Sequence, residues 1–248
     1  MTPVQTSERR TRRRTPQAAC ALALAVCATA LVSGTTAAHA TTGVREYTES
    51  TTFVVPAGVT GLMIDIWGAG GGGAGGKPSG LGGGGGGGGG YVHGAVTVVP
   101  QEEVTITIGD GGAGGPLSTP GSSGTSTTIA VGSTVLATAL GGDGGGEGSG
   151  DALIISTGGA GGSGTAPAET ALGGGGFVRP GATGGRSEPM GSPRLGYYMG
   201  GTGGQPVNAG SSDLGDAATG GRGGGSSGHG VFPGEAGTPG FAVIHWSF

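Results

Sequence analysis

The sequence has almost no cysteine and few charged or aromatic residues. Its two cysteines, Cys20 and Cys27, lie within the first forty residues, and charged and aromatic residues make up 10% and 4% of the chain. A chain without cysteine beyond that point is neither a disulfide-stapled scaffold nor a thiolate metal site. Order in residues 41–248 must therefore come from packing and hydrogen bonds.

Basic residues are also scarce after position 40. Five of the 11 basic residues and one of the 15 acidic residues precede residue 41, which leaves 6 basic and 14 acidic residues and a formal charge of −8. Nucleic-acid binding depends on clustered lysine and arginine that neutralise phosphates. This balance argues against nucleic acid as a partner.

The first forty residues have the features of a secretory signal peptide. Arginines between positions 9 and 14 precede an apolar run, Ala18 to Val32, that is too short for a stable membrane span. Ala38-His39-Ala40 fits a small-x-small cleavage site. We expect cleavage after Ala40 and a secreted, extracellular protein with one glycine-rich β domain, residues 41–248, and no membrane span after cleavage. The arginines leave both general and twin-arginine export open.

Glycine supplies the dominant pattern of residues 41–248, which hold 66 of the 67 glycines. Hexads at 111–116, 158–163 and 200–205 read G-G-x-G-G-x, and 141–146 and 220–225 come close. A polyproline-type helix has three residues per turn, so this repeat aligns every third side chain in one column. Bare glycine columns allow lateral backbone hydrogen bonds between neighbouring helices. The repeat predicts an ordered polyglycine II slab whose x column faces water.

Order in this slab carries an entropic cost of about 1–2 kcal/mol per residue. Either lateral hydrogen bonds and an enclosing apolar frame offset that cost, or the glycine tracts stay disordered.

Apolar segments with strand periodicity flank the glycine tracts and supply such a frame. They lie at 53–55, 62–67, 91–99, 104–108, 127–139 (a hairpin turning near Gly132-Ser133) and 241–246. Because a lone apolar edge strand invites aggregation, the first and last strands should pair or pack together. The sequence predicts one all-β domain in which polyglycine II helices or loops are inserted between the strands.

Several of these segments together resemble a family of bacterial and phage glycine-rich domains. Five segments carry the resemblance. They are 53–60, 64–71, the segment from Tyr91 to Val99 in which the glycine run gives way to a strand, 104–115 and 237–244. The layout is also similar to the glycine-rich region of anaplastic lymphoma kinase receptors and, more loosely, to phage tail-fibre tip adhesins. The resemblance implies a jelly-roll-like β-sandwich whose polyglycine II helices display binding loops, and it transfers no binding residue.

Catalytic and cofactor motifs lack their structural requirements. Residues 68–73 satisfy G-x-G-x-x-G, but no helix follows to hold a dinucleotide pyrophosphate. The histidines at 93, 229 and 245 lack metal-ligand spacing, and the serine, histidine and aspartate residues form no triad pattern. Asp65 stands in opposite phase to Ile64 and Ile66, which indicates a solvent-facing or hydrogen-bonded strand residue rather than a functional acid. We expect a non-enzyme without cofactor or metal.

The least repetitive stretch contains the candidate ligand contacts. It brings together arginine and aromatic side chains, which supply large contact areas with a polar group. The candidates are Phe177, Arg179, Arg186, Arg194, Tyr197 and Tyr198. An alternative role for the two tyrosines is to pin the glycine bundle.

These observations predict a non-enzymatic extracellular or cell-surface protein of the binding or adhesion type. In this interpretation the glycine-rich scaffold displays loops to an extracellular protein or a glycan. The alternative is a structural matrix or coat protein that self-associates through its glycine tracts.

Overall fold

A computed structural model describes residues 42–148, 162, 164–165, 176–189, 198–205, 218–219, 226–227 and 230–247. The interpretations that concern the leader (1–40), Arg194 and Tyr197 lie outside these residues. So do the glycine repeat at 220–225 and all of 158–163 except Gly162. Among the described residues there is no α-helix, and hence no helix long and apolar enough to cross a membrane.

Within these ranges the structure has fourteen strands, of which the longer ones form where β-branched and aromatic residues interrupt the glycine tracts. They are β1 (Gly43–Tyr47), β2 (Thr51–Val54), β3 (Gly61–Trp67), β4 (Tyr91–Thr97), β5 (Glu103–Thr107), β6 (Thr127–Val131), β7 (Thr134–Ala139), β8 (Gly164–Thr165), β9 (Phe177–Arg179), β10 (Glu188–Pro189), β11 (Tyr198–Met199), β12 (Ser226–Ser227), β13 (Gly230–Val231) and β14 (Phe241–Trp246). The predicted hairpin is β6–β7, with Gly132 at φ 55° in its turn. The predicted all-β class is confirmed.

Two five-stranded antiparallel sheets form a β-sandwich. Sheet A has the order β1-β14-β3-β4-β9, and sheet B has the order β2-β5-β6-β7-β8. A small third sheet has the order β10-β11-β12-β13. The final strand β14 lies between β3 and β1, a strand that the sequence pattern did not predict. This arrangement leaves the long apolar β14 with no open edge. The first predicted strand, β2, belongs to sheet B and packs on β14 instead of pairing with it: the rings of Phe53 and Trp246 have centroids 5.2 Å apart.

The core lies between the facing surfaces of sheets A and B. Alternation along β3 buries Leu62, Ile64 and Ile66 on the inner face, because successive side chains point to opposite sides of a strand. Sheet B contributes a matching inner row that includes Ile106 and Ile129. The outer face of sheet A is consequently formed by the residues of opposite phase.

Residues 68–76 continue from β3 as a polyglycine II helix whose backbone amides point in turn to three neighbours. Gly71 donates to the Gly87 carbonyl at 2.9 Å, and Gly72 donates to the Ser122 carbonyl at 2.8 Å. A helix with three residues per turn directs successive amides about 120° apart. The helix bonds to five surrounding segments: its amides donate to 81–90, 119–125 and 232–238, and its carbonyls accept from 112–118 and 140–146.

The nine-glycine run 82–90 forms a second central helix. All of its residues are buried. Its backbone bonds outward to 140–146, 182–185, Ala218, Gly162 and 201–204. The longest glycine run is therefore enclosed along its whole length, as 68–76 also is. The prediction of lateral hydrogen bonds between glycine helices is confirmed for the described tracts.

Close approach of backbones, rather than an unusual φ, is what requires glycine in these helices. A Cβ atom at Gly86 would lie 2.1 Å from the Gly71 oxygen, and one at Gly71 would lie 2.1 Å from the Asp143 oxygen. Neither glycine has a φ in the left-handed region. A methyl group would therefore collide with a backbone carbonyl that has no freedom to move aside.

The outer helices follow the predicted three-column pattern. In the 111–116 hexad, Gly112 and Gly115 are buried while Ala113 and Pro116 are exposed. In the 200–205 hexad, the x residues Thr202 and Gln205 are exposed. The x column faces water in both, as predicted.

Replacement of Gly86 by alanine tests the close packing of the central helices. Gly→Ala at an unstrained φ stabilises by about 0.4–1 kcal/mol through the unfolded chain, whereas overpacking costs about 1–3 kcal/mol. Because the obstacle is a backbone carbonyl, we expect the upper part of the overpacking range and hence a net destabilisation of about 2 kcal/mol in urea unfolding. Ala113→Ser on the exposed x column is the control and should leave the midpoint unchanged. Equal stability of Gly86→Ala and the parent protein would contradict the bundle.

Tyr47 brings a polar atom into the edge of the core. Within the described part of the chain no group makes a hydrogen bond of good geometry to its buried hydroxyl, and the Arg45 guanidinium is the polar group near it. Burial raises the pKa of Tyr47, and the nearby Arg45 guanidinium, which lowers the pKa, offsets only part of this effect. The folded protein therefore resists forming the phenolate.

Tyr47→Phe should be neutral or stabilising at pH 7, because it removes a buried hydroxyl that makes no hydrogen bond of good geometry. The unfolded tyrosine loses its proton near pH 10, whereas the folded tyrosine has a higher pKa and keeps its proton longer. The neutral form therefore contributes its full stability below about pH 10, and this contribution is lost as the pH rises further. The parent protein should lose more stability than Tyr47→Phe between pH 9 and 11 in urea unfolding. Parallel losses in both proteins would show that Tyr47 titrates normally.

Candidate functional site

The outer face of sheet A gathers titratable and aromatic side chains from four strands. The row across the sheet pairs Val243 of β14 with Asp65 of β3, Asp65 with His93 of β4, and His93 with Phe177 of β9. Such cross-strand neighbours have Cβ atoms about 5 Å apart. Residues far apart in sequence thus meet on one side of a continuous sheet.

Asp65 is the acceptor at the centre of this row. The Tyr91 hydroxyl donates to Asp65 Oδ1, and His93 Nδ1 lies 2.8 Å from the same oxygen. His245 Nε2 approaches Asp65 Oδ2 from the other flanking strand at 3.4 Å. The carboxylate is thus engaged by three protein groups, and its side chain retains 17% exposure.

The contact with Asp65 fixes the orientation of His93. A carboxylate only accepts hydrogen bonds, so the imidazole donates through Nδ1, and its Nε2 points away from the carboxylate. The His93 side chain is 29% exposed and that of His245 is 43% exposed. Asp65 therefore holds two imidazoles that remain open to solvent.

Phe177 extends the row at the sheet edge. Its ring is 40% exposed and packs at centroid distances of 5.0 Å from His93 and 5.9 Å from Tyr91. The Arg179 guanidinium lies 5.3 Å from the Phe177 ring centre, within cation–π range. Asp65, His93, Phe177, Arg179 and His245 are called the outer-face patch below.

A buried aromatic cluster supports one end of the patch. Trp67 packs on Tyr91 at 4.8 Å and on Phe241 at 5.8 Å, and Ala218 covers this cluster. Tyr91 belongs to both groups, because its ring is buried while its hydroxyl reaches Asp65. The patch therefore rests on a packed foundation.

A shallow depression borders the patch on the side of His245. Its volume is about 310 Å³, at the lower end of the range for small-ligand sites. Gly61, Met63 and Ala95 line it beside His245. The small residues create the hollow and Met63 supplies an apolar wall.

Among the described residues, no group of three or more histidine, cysteine or acidic side chains has the arrangement of a metal site. The nearest approach is Asp65 with its two histidines, but each imidazole directs a nitrogen at a carboxylate oxygen. Their nitrogens do not converge on a common point as metal ligands must.

The structure brings together two of the six predicted contact residues. Phe177 and Arg179 lie side by side on the edge strand β9. Arg186 is exposed on a different element, the glycine segment 181–187. Only the backbone of Tyr198 is described, in β11, while Arg194 and Tyr197 lie outside the described residues.

The sequence draws attention to Asp65, His93 and His245 separately but does not indicate that the three lie together. Asp65 is a hydrogen-bonded strand residue as expected, and His245 is a strand residue beside Trp246. What joins them is the β14-β3-β4 order. The signal that the sequence did offer was strand phase. Asp65 stands between two buried isoleucines, and His93 and His245 each follow a buried apolar residue, so all three point outward from the sheet.

Comparison with known proteins agrees with this architecture. No match was found among curated proteins. The family model described as the glycine-rich domain matches residues 45–247. That span includes both central glycine helices and every strand from β2 to β14, and the chain is therefore a member of the glycine-rich domain family.

Proposed function

We propose that this protein is a secreted, non-enzymatic binding protein of the extracellular or cell-surface type. The observation that carries the proposal is the outer-face patch, where partly exposed aromatic and imidazole groups from four strands share one sheet surface. A surface built on strands is held more rigidly than one on loops, which lowers the entropy lost on binding.

The glycine bundle supports this function by fixing the strands that carry the patch. The central helices 68–76 and 82–90 lie in the segment that connects β3 to β4, and the Gly68 amide donates to the Gly90 carbonyl, next to the Trp67–Tyr91 pair. The two strands that present Asp65 and His93 are thereby joined through the bundle. Secretion through the leader of residues 1–40 would place this surface outside the cell.

A binding array tests the proposal. The protein, expressed from its complete reading frame and recovered after export, is applied to immobilised matrix proteins, mucins and purified glycans. Phe177→Ala should weaken whatever binding is found by at least about tenfold, because aromatic anchors dominate interfaces. Thr202→Ala on the exposed bundle surface is the matched control and should bind normally. Equal binding by Phe177→Ala, with its melting temperature unchanged, would remove the patch from the proposal.

Self-association is the second candidate function, and the outer end of the bundle favours it. Phe232 and Leu117 are 55% and 46% exposed. Both flank Gly76: its amide donates to Phe232, and its carbonyl accepts from Ser118, the residue after Leu117. This end lies about 25 Å along the helix from β3, at ~3.1 Å per residue. Two large apolar side chains at a rigid end form a surface suited to association.

Sedimentation velocity distinguishes this second function. A self-associating protein should form concentration-dependent oligomers, and Phe232→Ser should return it to the monomer. Val135→Ser is the control, since Val135 is 57% exposed on β7 of sheet B. A monomer at all concentrations, or oligomers unaffected by Phe232→Ser, would count against this role for the bundle end.

A further inference from the structure

We infer that the outer-face patch binds an uncharged glycan. The inference rests on the proposed binding function and specifies its ligand class. Sugar C–H groups would pack on the exposed part of the Phe177 and His93 rings, and sugar hydroxyls would hydrogen-bond to the outward imidazole nitrogens.

The charged groups of the patch are already engaged within the protein. Asp65 is contacted by Tyr91, His93 and His245, and Arg179 lies against the Phe177 ring and makes a further interaction. A charged ligand would have to displace these contacts. The patch instead offers hydrogen-bonding imidazoles beside an apolar ring, which suits a ligand with many hydroxyls and no charge.

The shape of the surface also suits an oligosaccharide. The strands β14, β3, β4 and β9 are consecutive in sheet A, and a spacing of about 4.8 Å per strand gives a surface about 14 Å across. His245 and Phe177 stand at its two sides, and the depression beside His245 and Met63 extends it. A ligand of several sugar units could contact both sides at once.

The formal charge of −8 expected after leader removal disfavours polyanionic glycans. An acidic protein repels a sulfated or uronic-acid chain at long range, and salt screens this repulsion only in part. Neutral polysaccharides meet no such barrier.

The role of Asp65 follows from its geometry. It is a positioning residue, because it holds His93 and His245 in place and spends its acceptor capacity on them. Asp65→Asn keeps the side-chain shape, but the amide can also donate hydrogen bonds, so it no longer selects one imidazole orientation. The loss of a fixed hydrogen-bonding pattern should weaken glycan binding, while the apolar surface of the Phe177 ring remains.

Titration calorimetry with cellohexaose, chitohexaose, xylohexaose and mannohexaose tests the inference, with a heparin hexasaccharide as the anionic probe. We expect at least one neutral oligosaccharide to bind. Phe177→Ala should weaken that binding about tenfold, the scale of an aromatic contact worth up to ~1.5 kcal/mol. Asp65→Asn should weaken it several-fold, and Thr202→Ala should leave it unchanged. Thermal unfolding of each variant separates lost contacts from lost fold.

The remaining outcomes are distinguishable. Binding of a protein on the array that depends on Phe177, with no response to any neutral oligosaccharide, would overturn the glycan inference and leave the binding function intact. Preference for the heparin hexasaccharide would overturn the uncharged ligand class. Neutral-glycan binding that Phe177→Ala and Asp65→Asn do not change would place the site elsewhere and overturn the assignment to this patch. The absence of any binding in both experiments would overturn the proposed function together with the inference.

Discussion

The lateral backbone hydrogen bond between glycine helices is the interaction on which the rest of the structure depends. Each bond contributes only about 0.5–1.5 kcal/mol net, and each glycine loses about 1–2 kcal/mol of conformational freedom when it is ordered. A single pair of helices would therefore not hold together. The central helix 68–76 succeeds because it is bonded to five other segments at once, so ordering one residue satisfies its amide and its carbonyl against different neighbours.

The β-sandwich supplies what the bundle lacks. The bundle has few side chains to bury, whereas the facing surfaces of sheets A and B enclose an apolar core. The connection between the two parts is direct, because β3 ends at Trp67 where one central helix begins, and the other ends at Gly90 where β4 begins. The aromatic cluster of Trp67, Tyr91 and Phe241 occupies this junction. The same junction orients the Tyr91 hydroxyl toward Asp65, so the foundation of the bundle and that of the outer-face patch coincide.

The sequence was sufficient to predict the strand segments and the bundle, because both depend on local periodicity. The two-residue alternation in 62–67 and the G-G-x repeat in 111–116 each specify which side of an element is buried, whatever the neighbouring element is. The same patterns do not specify strand order, and so could not bring His245 to Asp65 across a separation of 180 positions. The strands β8 to β13 were also missed, since segments of two or three residues carry no periodicity. The strand β1 was missed because its mostly exposed residues, two of them charged, do not alternate between apolar and polar.

The sequence also did not show which glycine segments form the central helices, and the reason again lies in the repeat pattern. The nine-glycine run 82–90 lacks the x column that marks the outer helices, and this lack is the signal that the helix has neighbours on every side. The regular G-G-x repeat marks the outer helices of the bundle, whose x residues face water. The uninterrupted run, which by composition alone resembles a flexible linker, occupies its interior.

A helix with three residues per turn also constrains how such a chain can change in length. Inserting one or two residues into 68–76 would rotate every following amide by about 120° or 240°, and each would then face the wrong neighbour. Inserting three residues would restore the original directions and merely lengthen the helix by one turn. Related chains should thus differ within their glycine tracts by multiples of three residues. In the genes, the insertions and deletions in these tracts should have lengths that are multiples of nine nucleotides.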